Sequence, residues 1–205
     1  TLPVIRVLAL NENPTEPIFW LAGGPGGTNL KFIALDELIE DHDIVLVGYR
    51  GVDGLSKLKC PEISQTLKRT GSDFLSETFL LDFGDKSNQC AERLESEGFD
   101  LDGFSIPEVV NDIEDARIAL DYDQANLLSA SYGTRVAAFY SWMYPESLNR
   151  SAMISVNPPG HFVWEPSELD ALIAYDTALC AKDPYCSNRT DDLENSIRNV
   201  LGDMP

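Results

Sequence analysis

The sequence predicts an α/β fold built on a mainly parallel sheet, and three observations carry that expectation. Short apolar runs alternate with helix-like segments along the 205 residues, a glycine-rich loop follows one of those runs, and a serine corner follows another. The loop and the corner thereby fall at strand C-termini, the edge at which open α/β sheets place their sites.

Taken in chain order, residues 4–10, 18–21, 44–49, 126–129 and 152–156 read as short buried strands. Helices fall between them, on both faces of the sheet. Ser105-x-x-Glu108 with Pro107 opens one, and Val109, Ile113, Ala116 and Leu120 then recur along a single face. Another starts after Ser131 and runs toward Tyr144, where Pro145 stops it. After Pro159 the texture changes: two helical segments follow without a strand between them, the first capped by Ser167 and the second by Thr190, with Gly202 closing the latter.

The first chemically informative stretch is Asn126-Leu127-Leu128-Ser129-Ala130-Ser131-Tyr132-Gly133-Thr134-Arg135. It sets Ser131 between a strand-like and a helix-like run, with small residues two places to either side. That is the pattern of a nucleophile elbow, whose sharp turn holds the hydroxyl clear of the sheet and aims the following N–H groups at a reacting carbonyl. Ser129 stands where the G-x-S-x-G pattern has glycine; serine is still small. Upstream, Ile18-Phe19-Trp20-Leu21 runs into Ala22-Gly23-Gly24-Pro25-Gly26-Gly27. Glycines there let the main chain take positive φ and approach a ligand, as an oxyanion hole or a phosphate cradle requires. A phosphate loop would need G-x-x-x-x-G-K-[ST] and a dinucleotide loop G-x-G-x-x-G; here Asn29 follows and Lys31 is misplaced, which argues against nucleotide binding.

Gly23-Gly24-Pro25-Gly26-Gly27, Val47-Gly48-Tyr49-Arg50-Gly51-Val52-Asp53-Gly54, Ser129 to Thr134, and Asn157-Pro158-Pro159 together resemble the proline iminopeptidase and tripeptidyl aminopeptidase group of α/β-hydrolases. The resemblance covers roughly residues 4–159. It implies a serine hydrolase that releases residues or short peptides from a free N-terminus through an acyl-enzyme. The alternatives are an esterase or amidase on bulky non-peptide substrates and a non-catalytic pseudo-hydrolase binding module. Ser131 would attack, while the N–H groups of Tyr132 and Gly24 would hold the oxyanion. Three positions depart from the family: Ala22 for a common histidine before the glycine pair, Gly48 for the usual aspartate before Arg-Gly, and Ser129 for glycine. The same resemblance divides the chain into the N-terminal part of a hydrolase core, residues 1–159, and the beginning of a helical cap, residues 160–205. In such a cap Trp164, Glu165 and Glu168 would face the substrate.

Composition narrows the partners. With 43% hydrophobic residues the chain can bury a substantial core, and no apolar run approaches the ~20 residues needed to span a bilayer. Thr1-Leu2-Pro3 lacks the blocks of a signal peptide, so any such peptide is expected to have been removed. A net charge of -19, from 15 Lys and Arg against 34 Asp and Glu, argues against nucleic-acid binding and reads as a solvated acidic surface. No cofactor motif is present. Zinc would want close cysteine pairs, and the two histidines do not help: His42 lies in an acidic turn before a strand, and His161 follows the Pro-Pro pair, where it could line the site without being placed as the base.

Cys60, Cys90, Cys180 and Cys186 make an even set, and sequons at Asn149-Arg150-Ser151 and Asn188-Arg189-Thr190 accompany them. This favours an oxidising compartment, secreted or periplasmic. Four cysteines allow three pairings; the resemblance implies local closure, Cys60–Cys90 and Cys180–Cys186. Finally, α/β-hydrolases order their triad as Ser, then Asp or Glu, then His, and nothing convincing follows Ser131 here. The chain is therefore expected to be the N-terminal half of a larger hydrolase, lacking the last strands, with the acid and base beyond residue 205.

Overall fold

The computed structural model describes residues 1–32, 37–68, 74, 76–160 and 165–202. Five strands form one sheet: β1 (Val4–Val7), β2 (Thr15–Leu21), β3 (His42–Val47), β4 (Ala125–Ala130) and β5 (Leu148–Ile154), in the order β1-β3-β2-β4-β5. The pairs β3–β2, β2–β4 and β4–β5 are parallel, and β1 joins antiparallel to β3. The mainly parallel sheet is thus as the sequence predicts. Between the strands lie α1 (Pro61–Leu67), α2 (Glu77–Ser96), α3 (Ile106–Ala119) and α4 (Tyr132–Met143). The chain divides into two compact units, Thr1–Pro159 and Gly160–Pro205.

Alternation along the strands sorts side chains to two faces. Phe19, Leu21, Val45, Val47, Ala125 and Leu127 pack against Val109, Val110 and Ile113 of α3 and Val136, Ala137 and Tyr140 of α4. Burying each large apolar side chain is worth roughly 1.5–3 kcal/mol, so this layer dominates the core. On the opposite face Ile18, Ile44 and Leu46 meet Leu30, Phe32, Leu38 and Ile39. The helical stripe predicted for α3 holds, and it widens to include Val110, which is fully buried.

Several local expectations fail for identifiable reasons. β1 stops at Val7 instead of running to residue 10: the N–H of Ala9 turns to Asp43 Oδ1 (2.7 Å), and Leu8 and Leu10 are exposed. β5 begins at Leu148, before the apolar residues that suggest it, because pairing with β4 draws in the polar run Asn149–Ser151. His42 opens β3 and does not sit in a preceding turn; its Nδ1 meets Thr15 Oγ1 (2.8 Å) and the Glu16 carbonyl (2.7 Å). Ser105 occupies the N-cap of α3 but makes no side-chain capping bond, and the Glu108 carboxylate lies 3.4 Å from Arg50.

The second unit contains α5 (Pro166–Lys182), α6 (Pro184–Ser187) and α7 (Leu193–Gly202). Glu165, not Ser167, holds the N-cap position of α5. At the start of α7 Asp192 Oδ1 accepts from Asn195 N (2.9 Å), whereas Thr190 Oγ1 supports the preceding turn by accepting from Asp192 N (3.2 Å). Both disulfides close locally, Cys60–Cys90 with a Cα–Cα distance of 5.5 Å and Cys180–Cys186 at 5.1 Å. Among the described residues no helix is long and apolar enough to cross a membrane.

Two buried carboxylates tie this core to pH. Glu114 accepts from Arg117 Nη2 (2.7 Å), Tyr140 Oη (2.6 Å) and Ser147 Oγ (2.9 Å), and the arginine above all holds its pKa below the usual carboxylate range. Burial alone would raise Asp43, but bonds from Tyr122, the Ala9 N–H and Arg6 outweigh it and lower its pKa. A depressed carboxylate stabilises the fold above its unfolded value, near ~4, and that stabilisation is lost as pH falls through the folded value. The denaturant midpoint should therefore hold from neutrality to about pH 5 and fall below about pH 4. Glu114→Gln should lower stability at neutral pH and make the acid fall shallower. An unchanged acid limb would show that Glu114 titrates alike in both states.

Candidate active site

β4 ends at Ala130 and α4 begins at Tyr132, so Ser131 alone makes the corner, with φ 47° and ψ -117°. A non-glycine residue at positive φ costs about 1–3 kcal/mol and persists only where its surroundings hold it. Here they do. The N–H of Ser131 donates to the Ile154 carbonyl (2.9 Å), and its own carbonyl accepts from the N–H (2.9 Å) and Oγ1 (2.6 Å) of Thr134. Ser131 remains exposed, at the C-terminal edge of the sheet.

Small neighbours make the corner possible. A Cβ on Gly133 would lie 2.0 Å from the Leu21 carbonyl oxygen, and one on Gly23 would lie 2.9 Å from Ser131 Cβ. The glycine loop and the serine corner are therefore in contact, β2 lying beside β4 with Leu21 opposite Ser129. Ser129 is fully buried, and its hydroxyl donates to the Ala152 carbonyl (3.2 Å), which satisfies the one polar atom that distinguishes it from glycine.

Within the loop, Gly27 N donates to Gly24 O (2.9 Å) across Pro25 and Gly26, the latter at φ 83°. Proline second and a positive-φ glycine third is the pattern of a type II turn. Gly24 itself takes φ 76°. The turn engages the N–H of Gly27, Asn29 engages that of Ala22, and Pro25 has none, so Gly23, Gly24 and Gly26 are the loop's candidate donors. At the head of α4 the N–H of Tyr132 is the companion candidate. The Tyr132 ring meets Tyr49 edge to face with centroids 6.2 Å apart, and burial raises the pKa of its hydroxyl.

A buried polar hub that the sequence reading missed holds this loop. Asn29, with no exposed surface, accepts from Ala22 N (2.7 Å) and donates to the carbonyls of Trp20 (3.0 Å) and Val47 (2.8 Å). Asp53 accepts from Thr28 Oγ1 (2.7 Å), Asn29 N (3.2 Å) and Tyr49 N (3.0 Å). Tyr49 Oη in turn donates to the Ala22 carbonyl (3.3 Å). The absence of a side chain at residue 48 follows from the same packing: a Cβ on Gly48 would lie 2.8 Å from Asp53 Cβ. Asn29 and Asp53 each stand within or beside a quoted motif. An amide or carboxylate next to a glycine loop is a signal for backbone anchoring.

The remaining expected residues distribute as follows. Glu165 and Glu168 are exposed at the N-terminal end of α5, in the second unit. Trp164 and His161 lie outside the described residues. His42 stands at the start of β3, the end of the parallel strands remote from Ser131, and is not brought to the corner.

The family model for the alpha/beta hydrolase fold matches residues 16–175. The chain is 26% identical over 173 residues to a tripeptidyl aminopeptidase of Streptomyces lividans, covering 75% of this chain and 31% of that protein. It thus spans about a third of the length of that relative. Among solved structures it is similar to a proline iminopeptidase-related protein of Thermus thermophilus, with 22% identity, a TM-score of 0.47 and coverage of 76% of this chain and 41% of the other. An esterase of a marine microorganism is also similar, with 13% identity, a TM-score of 0.49 and coverage of 92% and 59%.

Proposed function

The chain belongs to the alpha/beta hydrolase family, and from that premise we propose that it is a serine hydrolase of aminopeptidase type, acting on peptides with a free N-terminus through an acyl-enzyme on Ser131. One observation carries the reading: an exposed serine at positive φ, between a parallel strand and a helix, is in contact with a glycine loop in which, among the described residues, the N–H groups of Gly23, Gly24 and Gly26 meet no acceptor. Ser131 Oγ attacks, its proton passing to a histidine base. The carbonyl oxygen takes up negative charge between the N–H groups of Tyr132 and Gly24, and collapse of the intermediate expels the amine. His42 is too remote to be that base, so the reading requires another histidine within reach of Ser131 in the working enzyme. Peptide over ester chemistry is supported by the motif set and the tripeptidyl aminopeptidase likeness. The two disulfides support an oxidising compartment, secreted or periplasmic.

A fluorophosphonate probe applied to the full-length protein should form one adduct, mapped by mass spectrometry to Ser131. Aminoacyl and tripeptidyl chromogenic amides should be cleaved faster than simple acyl esters. An unlabelled Ser131 would remove the serine mechanism, and preference for acyl esters would replace the peptidase reading with an esterase.

A further inference from the structure

Two non-glycine residues in the first unit hold positive φ at the ends of adjacent parallel strands: Ser131 (47°), after β4, and Ser155 (53°), after β5. Strain of this kind gathers where surrounding structure fixes a functional geometry. The two corners are coupled. Ser131 N donates to Ile154 O, the residue before Ser155, and Asn157 N, just beyond that turn, donates to Thr134 Oγ1 (2.8 Å). The same Thr134 hydroxyl donates to Ser131 O (2.6 Å). Thr134 is buried, and Arg135 Nη2 holds Asn157 from the other side through Oδ1 (2.9 Å).

We propose that Thr134 is a positioning residue for the nucleophile. Its one hydroxyl fixes the carbonyl of the strained serine while anchoring the turn after β5, so that the direction of Ser131 Oγ is set jointly by both corners. A hydroxyl is needed because it must accept from one N–H and donate to one carbonyl at once, which no aliphatic side chain of that shape can do. Without it the Ser131 carbonyl keeps only the Thr134 N–H, and the two corners stay joined only through Ser131 N to Ile154 O and Arg135 to Asn157, which leaves the serine less closely fixed. Misplacement of reacting atoms by about an ångström costs on the order of 10²-fold in rate. The inference rests on Ser131 being the nucleophile.

The test compares Thr134→Val, which keeps the shape and removes the hydroxyl, with Thr134→Ser, which keeps the hydroxyl. Both are made in the full-length enzyme, with Ser131→Ala as control. Thr134→Val should lower kcat and the fluorophosphonate labelling rate together by ~10- to 100-fold, with KM within about twofold. Thr134→Ser should stay within about threefold of the parent for both. Loss expressed in KM, a Thr134→Val rate near the parent's, or Thr134→Ser falling as far as Thr134→Val would each overturn the proposal. Should Thr134→Val fail to fold, Asn157→Pro, which removes the N–H that Thr134 Oγ1 accepts from, should slow labelling at least about fivefold relative to Asn157→Ala, which keeps it, at unchanged KM, and equal labelling of the two would refute the proposal. If the parent enzyme itself does not label at Ser131, the nucleophile assignment fails; if it labels and the variants label equally, only the positioning role fails.

Discussion

Ser131→Ala is expected to lower kcat in the full-length enzyme by ~10⁶-fold, the scale on which loss of a serine nucleophile removes the acyl-enzyme route while the oxyanion donors and substrate contacts remain. Stability should hardly change, because alanine inherits the same positive φ and Ser131 buries little. Ser131→Gly separates chemistry from strain. Glycine accepts φ 47° freely, so relief of about 1–3 kcal/mol is set against roughly 0.5–1 kcal/mol of added chain entropy in the unfolded state. The glycine variant should therefore be equally inactive yet about 1 kcal/mol more stable than the alanine variant. Stability comes from urea titration and turnover from initial rates on the preferred substrate. An alanine variant that keeps a tenth of the parent kcat would end the assignment, and a glycine variant less stable than alanine would mean the corner is not strained.

Gly133→Ala should be the most damaging single methyl in the first unit. Its Cβ would lie 2.0 Å from the Leu21 oxygen, 2.5 Å from the Leu21 carbon and 2.9 Å from the Ala22 oxygen. All three belong to the backbone of β2 or its end and cannot rotate away. The first turn of α4 would have to lift from the sheet, parting Val136, Ala137 and Tyr140 from Phe19 and Leu21. A cost above about 4 kcal/mol is expected, beyond ordinary overpacking. Gly84, inside α2, supplies the contrast, since a Cβ there meets nothing within 4 Å. Gly84→Ala should stabilise by up to about 1 kcal/mol through helix propensity. Urea midpoints moving in opposite directions would bear out the geometry; a tolerated Gly133→Ala would mean that α4 does not approach β2 so closely.

The sheet and the elbow were legible because their signals are local. Five apolar runs give five strands, and the corner at Ser131 and the turn that begins at Gly24 follow from the residues immediately around them. Strand ends were less legible, since Asn149 to Ser151 enter β5 only because β4 offers them partners. The supports of the site were not legible for the same reason. Asn29 and Asp53 are 24 residues apart, and Thr134 meets Asn157 at a separation of 23, so their pairing exists only once the chain is folded. The cap on α3 was legible only in position: Ser105 takes the N-cap as the Ser105-x-x-Glu108 pattern predicts, while the Glu108 carboxylate lies beside Arg50, which only the fold brings near.

The strand order also sets a timetable. β2 lies between β3, its neighbour in sequence, and β4, to which it is joined by contacts such as Asn126 Nδ2 to Glu16 O at a separation of 110 residues. At about 5–20 residues per second, a ribosome leaves roughly ten seconds between making β2 and making its second partner. During that interval an apolar strand presents an unsatisfied edge, open to pairing with other nascent chains. Pro17, inside β2, has no N–H to give a neighbouring strand, and the register of β2 against β3 shifts between Thr15 and Ile18 around it. The glycine loop and the serine thus meet through a long-range pairing, so a nascent chain cannot bring them together before β4 has been made.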